Sequence, residues 1–499
     1  MGASRLFLII LAGAALGALL YGFDLVGTGE DPTDTTTVAG ASTTAPPPPT
    51  PTTIARPPCD PPTVAEPPEL TGSLTEQSLQ LSSQAFTCAD AVIVARPGAI
   101  ERSAALAAAE LSPLLIYTPG SLDPILDEIA RLDPISVLVT SPTIDLGGNV
   151  ATETVDPVAP TPDAGGSTVW FVGETDAEPS LLELAAAFAG AGVVSGESLS
   201  SISDDARSTI RSADDVIPVG AVDPEFEWRI DVLRSGLTNP GGGIDLIDNT
   251  RFVAFYGNPT TSALGVLGEQ GPVAGLERLA PIVAEYEADG AIGVPTFEII
   301  VTVADAVPGD DGDYSAEMSP DVVRPWIEAA ADAGAYVLLD LQPGRTDFLT
   351  QAMIYEEFLR LPHVGLALDP EWRLEPDQFH LRQIGSVDAA EVNLVSEWLA
   401  GIVREEALPQ KMFLLHQFRL DMLTNRPEIE LRPELATVIQ MDGQGPIGTK
   451  YETYAALTNP ADADRFEWGW KNFYDEDTPT PTPSQVLELD PLPVYVSYQ

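Results

Sequence analysis

The sequence predicts an α/β protein built from an N-terminal anchor and disordered stalk, a parallel α/β domain, and a C-terminal (β/α)8 barrel. Three observations carry this. Eight apolar runs recur over residues 248–499 with amphipathic helical patterns between the earlier ones, the alternation of a (β/α)8 barrel. A strand–helix–strand–helix–strand order occupies residues 85–240, as in a parallel α/β unit. Residues 28–70 are too rich in Thr, Pro and Ala to bury a core. A chain of 499 residues exceeds one ordinary core, and its 44% hydrophobic content is that of a chain that mostly folds.

At the start, LFLIILAGAALGALLY (6–21) is an uncharged apolar run preceded by Arg5. It matches a secretory signal or an N-terminal anchor with its start inside. No Ala-x-Ala site follows promptly and no cysteine follows the run. Residues 1–27 are therefore expected to be an uncleaved single-pass anchor, with a cleaved signal as the alternative. Either way the remainder is extracytoplasmic, at the cell surface or secreted. The stretch containing TTAPPPPTPTT reads as a stalk spanning a wall layer. Cys59 and Cys88 are the two cysteines, and neither forms a CxxC or Cys/His ligand cluster, which excludes a structural zinc. Outside the cytoplasm they can form one disulfide closing a Pro-rich loop; two free thiols are the alternative.

In residues 85–240, ADAVIVA (89–95), PLLIYT (113–118) and SVLVT (136–140) are strands. Helices ERSAALAAAEL (101–111) and SLDPILDEIARL (121–132) separate them. A second unit follows with strand STVWFVG (167–173), helix EPSLLELAAAFAGAG (178–192) and strand ADDVIPVG (213–220). The order ADAVIVA…SAALAAAEL…PLLIYTPGSLDPILDEIARL…ISVLVTSP resembles the cell-wall-binding repeat type 2 of Gram-positive surface proteins. The resemblance covers about residues 85–142, with a weaker echo at 167–222. It implies attachment to cell-wall polysaccharide or peptidoglycan.

The barrel strands are expected at 251–257, 294–304, 335–342, 363–372, 411–418, 436–445, 465–474 and 493–499, with helices at 275–288, 320–333, 347–361 and 388–407. Charge then limits the partners. Seventy-five acids face 24 bases, and the net charge is −51. Such a surface repels nucleic acid and anionic lipid, so the membrane partner is expected through the N-terminal helix alone.

Barrel active sites collect at the C-terminal ends of the strands. Here those ends carry Tyr256 and Asn258, Asp340 and Gln342, Asp369, Glu371 and Trp372, His416 and Gln417, Asp442 and Gln444, Lys471 and Tyr474, and Tyr498. Asp369 and Glu371 are two apart, so in an extended chain both point to one side. Acids beside aromatic rings suit carbohydrate: rings stack on sugars, amides bind hydroxyls, and two carboxyls divide the acid and base or nucleophile roles. Asp369, Glu371 and Asp340 are the expected catalytic acids and the other eleven the expected substrate-binding residues, with the proton donor left open. The D-x-E ending of the fourth strand resembles that of secreted barrel glycosidases of the lysozyme-like and chitinase-like families, without their longer DxxDxDxE motif. With three histidines in the chain and only His416 at a strand end, no metal or other cofactor is expected. The expectation is a surface protein that binds and hydrolyses a cell-envelope polysaccharide; the alternative is a non-catalytic glycan-binding protein with a degenerate barrel.

Overall fold

The computed structural model describes residues 56–156 and 167–499. The anchor and the stalk as far as residue 55 lie outside these, and no helix of the described residues is long and apolar enough to cross a membrane.

The folded chain begins upstream of residue 85. Cys59 is disulfide-bonded to Cys88, 29 residues on, a closure that restricts the unfolded chain by about 3–4 kcal/mol. Val64 and Leu70, within the expected stalk, pack on the N-terminal core. A helix then runs Leu74–Ala85, opened by a capping box in which Ser73 accepts from the Glu76 amide and the Glu76 carboxylate accepts from the Ser73 amide. No apolar stripe announces this helix, because its buried face is largely polar. Thr75 Oγ1 donates to Ile116 O (2.7 Å) and Ser82 Oγ to Glu128 Oε1 (2.6 Å).

Two parallel sheets follow. The first places strands Leu114–Ile116, Ala91–Ala95, Ser136–Val139 and Thr152–Thr154 side by side; the second places Gly192–Ser195, Thr168–Val172 and Asp215–Val219. Strand Gly192–Ser195 was not expected, and its first residue was the last of the expected helix 178–192. Helix Pro179–Ala189 stops at Gly190, whose φ of 68° is the left-handed stop that glycine adopts without strain. Along Thr168–Val172 the pleat divides the side chains: Trp170 and Val172 join the core of the first sheet, Val169 and Phe171 the core shared with the barrel. The second sheet is thus covered on both faces. Trp228 Nε1 donates to Leu408 O of the barrel (3.0 Å), and Arg229 pairs with Asp245 (2.6 Å).

The C-terminal part is a closed barrel of eight parallel strands: β1 (Thr250–Gly257), β2 (Ile292–Ala304), β3 (Tyr336–Leu341), β4 (Val364–Leu368), β5 (Lys411–Gln417), β6 (Leu435–Met441), β7 (Glu467–Asn472) and β8 (Tyr495–Tyr498). Each pairs with the next, and β8 returns to β1. Inward residues, among them Phe252, Val294, Tyr336, Leu338, Met412, Val438 and Tyr495, fill the lower interior. Their neighbours in sequence, such as Val253, Phe297, Leu339 and Phe413, face the surrounding helices. Helices Pro272–Glu285, Pro320–Ala333 and Ala389–Glu405 lie close to their expected positions, whereas 347–361 is split into Phe348–Ile354 and Glu356–Leu359. Helix Ile447–Thr458 was not legible, since it buries only Lys450, Tyr454 and Leu457. The long β2 continues past the barrel and pairs antiparallel with Ser315–Glu317.

At the base of β5, Lys411 is fully buried with its ammonium donating to Val364 O (2.7 Å). Burial pushes it down to about 7. In the unfolded chain lysine titrates near ~10.4, so between about pH 7 and 10 the unfolded chain holds more protons and stability rises with pH. Lys411→Met removes that dependence. Thermal unfolding of both proteins from pH 7 to 10 should show the parent gaining about 2–4 kcal/mol relative to the variant; a constant difference would contradict this.

Candidate active site

Above the apolar interior the inward residues turn polar. Glu298 lies beside Tyr256 in the β1–β2 register, Asp340 beside Ala367 of β4, and His416 beside Gln440 of β6. One residue pair further up come Asp442 beyond β6, Lys471 on β7 and Asp369 beyond β4. Burying any of these charges alone would cost several kcal/mol, so their contacts decide whether the layer is tolerable.

The contacts alternate in charge. His416 Nδ1 faces Asp442 Oδ2 (2.8 Å), and Nε2 faces Glu298 Oε1 (2.8 Å), with Asp340 Oδ1 at 3.6 Å. Tyr495 donates to Glu298 Oε2 (2.7 Å) and Tyr256 to Asp340 Oδ2 (3.0 Å). Lys471 Nζ lies 3.1 Å from Asp442 Oδ1 and 3.4 Å from the centre of the Tyr256 ring. Burial alone would lower His416, but the carboxylates of Glu298, Asp442 and Asp340 outweigh it and hold the imidazole well above its ordinary value. Burial would raise Asp442, yet Lys471 and His416 hold it below the carboxylate range. The remaining acids go the other way. Burial pushes Asp340 up to about 7 and Asp369 well above the ordinary range. Burial, then the charge of Asp442, pushes Glu371 up to about 7.

Over this layer opens a cavity of about 580 Å³ lined by Tyr256, Gln342, Asp369, Glu371, Trp372, Asp442, Gln444 and Lys471, with Phe418 and Phe473 beside them. These eight sequence-expected residues converge. Asp340 and His416 lie in the floor, enclosed by the network rather than exposed to the cavity. Four others do not reach it. Asn258 is buried, donating to Ile300 O (3.1 Å). Gln417 accepts from Arg426 (3.1 Å), and Tyr498 shares a hydroxyl hydrogen bond with Tyr286 (2.8 Å). Tyr474 stacks on Tyr498 at 5.4 Å. The reason for Gln417 and Tyr498 is the pleat: each follows an inward residue, His416 or Ser497, and so points to the helices.

The D-x-E pair also differs from an extended strand end. β4 stops at Leu368, and a 3-10 turn spans Pro370–Trp372. That turn, not a strand pleat, brings Glu371 to the cavity wall. Gly385 holds it: its amide donates to Glu371 O (2.8 Å), and a Cβ there would lie 2.4–2.6 Å from the carbonyls of Arg373, Glu371 and Pro370. Only glycine allows so close an approach.

Sequence pattern missed Glu298 and Tyr495 as site residues. Glu298 had a signal, an acid inside the apolar run VPTFEIIVTVA, where an unpaired charge is not tolerated. A larger cavity, about 850 Å³, opens at the ends of strands Thr168–Val172 and Gly192–Ser195. Its acids Glu174, Glu183 and Glu197 are all solvent-exposed, Glu183 being raised by partial burial, whereas the barrel encloses its shifted acids together with a buried histidine and lysine. Among the described residues, three groups have ligand atoms within 4.8 Å of one another and could hold a metal ion: Glu298, Asp340 and His416; Asp369, His416 and Asp442; and the less enclosed Asp311, Asp313 and Glu317. Comparison with protein-family models and with curated proteins finds no match to this chain, so the functional reading rests on the barrel's geometry.

Proposed function

We propose that the protein binds and hydrolyses a cell-envelope polysaccharide in the barrel cavity. The observation that carries this is that two carboxyls tuned in opposite directions line one cavity: Glu371 held protonated near neutrality, and Asp442 held ionised against Lys471. Environments that separate two carboxyls in this way divide the acid and base roles. Glu371 donates its proton to the glycosidic oxygen as the bond to the anomeric carbon breaks. Water adds to that carbon, and its proton passes to Asp442. Trp372, Phe418 and Phe473 supply faces for sugar rings, and Gln342 and Gln444 supply amides for hydroxyls. Asp442 thereby takes the base role in place of the Asp369–Asp340 pair, whose buried carboxyls favour the protonated form. That protonation is also what favours the second reading, a glycan-binding protein without turnover. Surface attachment rests on the apolar run at 6–21 and on the resemblance of residues 85–142 to wall-binding repeats.

Because the barrel shares its core with the preceding domain, the test uses the chain from residue 56 onward, not the barrel alone. Incubated with purified wall glycans, it should release reducing ends in proportion to time and enzyme. Binding with no release would leave the second reading, and neither would end both.

A further inference from the structure

We infer that Glu298, Asp340 and His416 form a binding site for one first-row divalent metal ion beneath the glycan cavity. The site goes beyond the hydrolase reading, and its test reads binding rather than turnover.

The three residues come from the inward faces of β2, β3 and β5, and all are fully buried. Ligands at about 2.1 Å from one ion stand about 3.0–3.5 Å from each other. His416 Nε2 lies 2.8 Å from Glu298 Oε1 and 3.6 Å from Asp340 Oδ1, which brackets that spacing. Asp340 Oδ1 is the independent sign of a ligand. It is buried without any hydrogen-bond partner and faces the same point as the other two atoms. Native proteins rarely leave such an oxygen unpaired.

The atoms that do not face this point are each held by a supporting partner. Asp442 takes His416 Nδ1, Tyr495 takes the second oxygen of Glu298, and Tyr256 takes the second oxygen of Asp340. A carboxylate on the far nitrogen of a histidine and donors on the far oxygens of acids are how metal ligands are oriented. The overlapping set Asp369, His416 and Asp442 is less suitable, since Asp442 is already engaged by Lys471 at 3.1 Å. Charge balances as well. A divalent ion held by two carboxylates and an imidazole is neutral overall, and Lys471 offsets Asp442. Two carboxylates and an imidazole suit zinc or manganese better than calcium, which takes oxygen ligands only.

The experiment is calorimetric titration of the chelator-stripped chain, carrying no histidine tag, with Zn2+, Mn2+ and Ca2+ in 150 mM NaCl to suppress diffuse binding to the acidic surface. Zn2+ or Mn2+ should saturate one site with a Kd below about 1 μM, well ahead of Ca2+. Asp340→Asn should abolish that phase, and Tyr495→Phe, which removes only a supporting hydroxyl, should weaken it about 10- to 100-fold. Asp313→Asn, in the more open group of Asp311, Asp313 and Glu317, should leave it unchanged. Should Asp340→Asn fail to fold, Tyr495→Phe and Glu298→Gln serve in its place. Absence of a saturable phase tighter than about 100 μM, or an affinity indifferent to Asp340→Asn and Tyr495→Phe, overturns the site.

Discussion

Glu371→Gln is expected to lower kcat on the wall glycan by about 10³-fold while KM stays nearly constant. The amide keeps the shape of the 370–372 turn, whose backbone is held through Glu371 O and not through the side chain. It cannot give up a proton to a leaving oxygen. A general acid contributes to the transition state and little to the ground state, which is why the loss falls on kcat. The parent's pH profile should carry the same signature. Glu371 is the donor only while protonated, so activity holds below its value of about 7 and declines above it. The raised value comes first from burial and then from Asp442, so Asp442→Asn, besides removing the base, should move any residual alkaline limb to lower pH. Rates of reducing-end release from pH 5 to 9 decide it. A variant retaining more than about a tenth of parental kcat, or a parent whose rate still climbs above pH 8, would remove Glu371 from the acid's role.

His416→Leu carries the largest expected cost in stability. The imidazole lies between Glu298 and Asp442 at 2.8 Å each, and leucine would leave both acids facing an apolar group in a buried layer. Removing one member of a buried ionic cluster costs about 3–5 kcal/mol. Asp442 would keep Lys471, so most of the loss belongs to Glu298, whose other contact is the Tyr495 hydroxyl. Adding Glu298→Gln to His416→Leu should therefore recover part of the loss, making the double variant less destabilised than the sum of the singles. Thermal or urea unfolding of the three variants measures this. Simple additivity would mean that the histidine does not compensate the glutamate's charge.

The barrel was legible because its strands are apolar on both faces, so eight runs stood out from the helices between them. Much of the polar rim was legible for the same reason, as hydrophilic residues at the ends of greasy runs. What failed was the choice among neighbours. His416 and Gln417 sit side by side, yet the pleat sends one inward and the other to Arg426. Parity could have separated them once the inward residues of each strand were fixed. Glu298 was passed over because it lies within its strand instead of at the end. The start of the N-terminal domain was hidden by a helix that buries Ser78 and Ser82 where leucines are expected. The turn at Pro370–Trp372 was masked by the strand before it, since a single proline marks either a strand's end or an edge.

The bridge between Cys59 and Cys88 also sets how the molecule bears mechanical load. Tension arriving along the chain from before residue 56 crosses the sulfur atoms and passes into residue 89, just ahead of the central strand Ala91–Ala95. The 28 residues between the two cysteines, with the capped helix Leu74–Ala85 among them, then lie outside the line of force. Under reducing conditions that helix would become the first element to be pulled away.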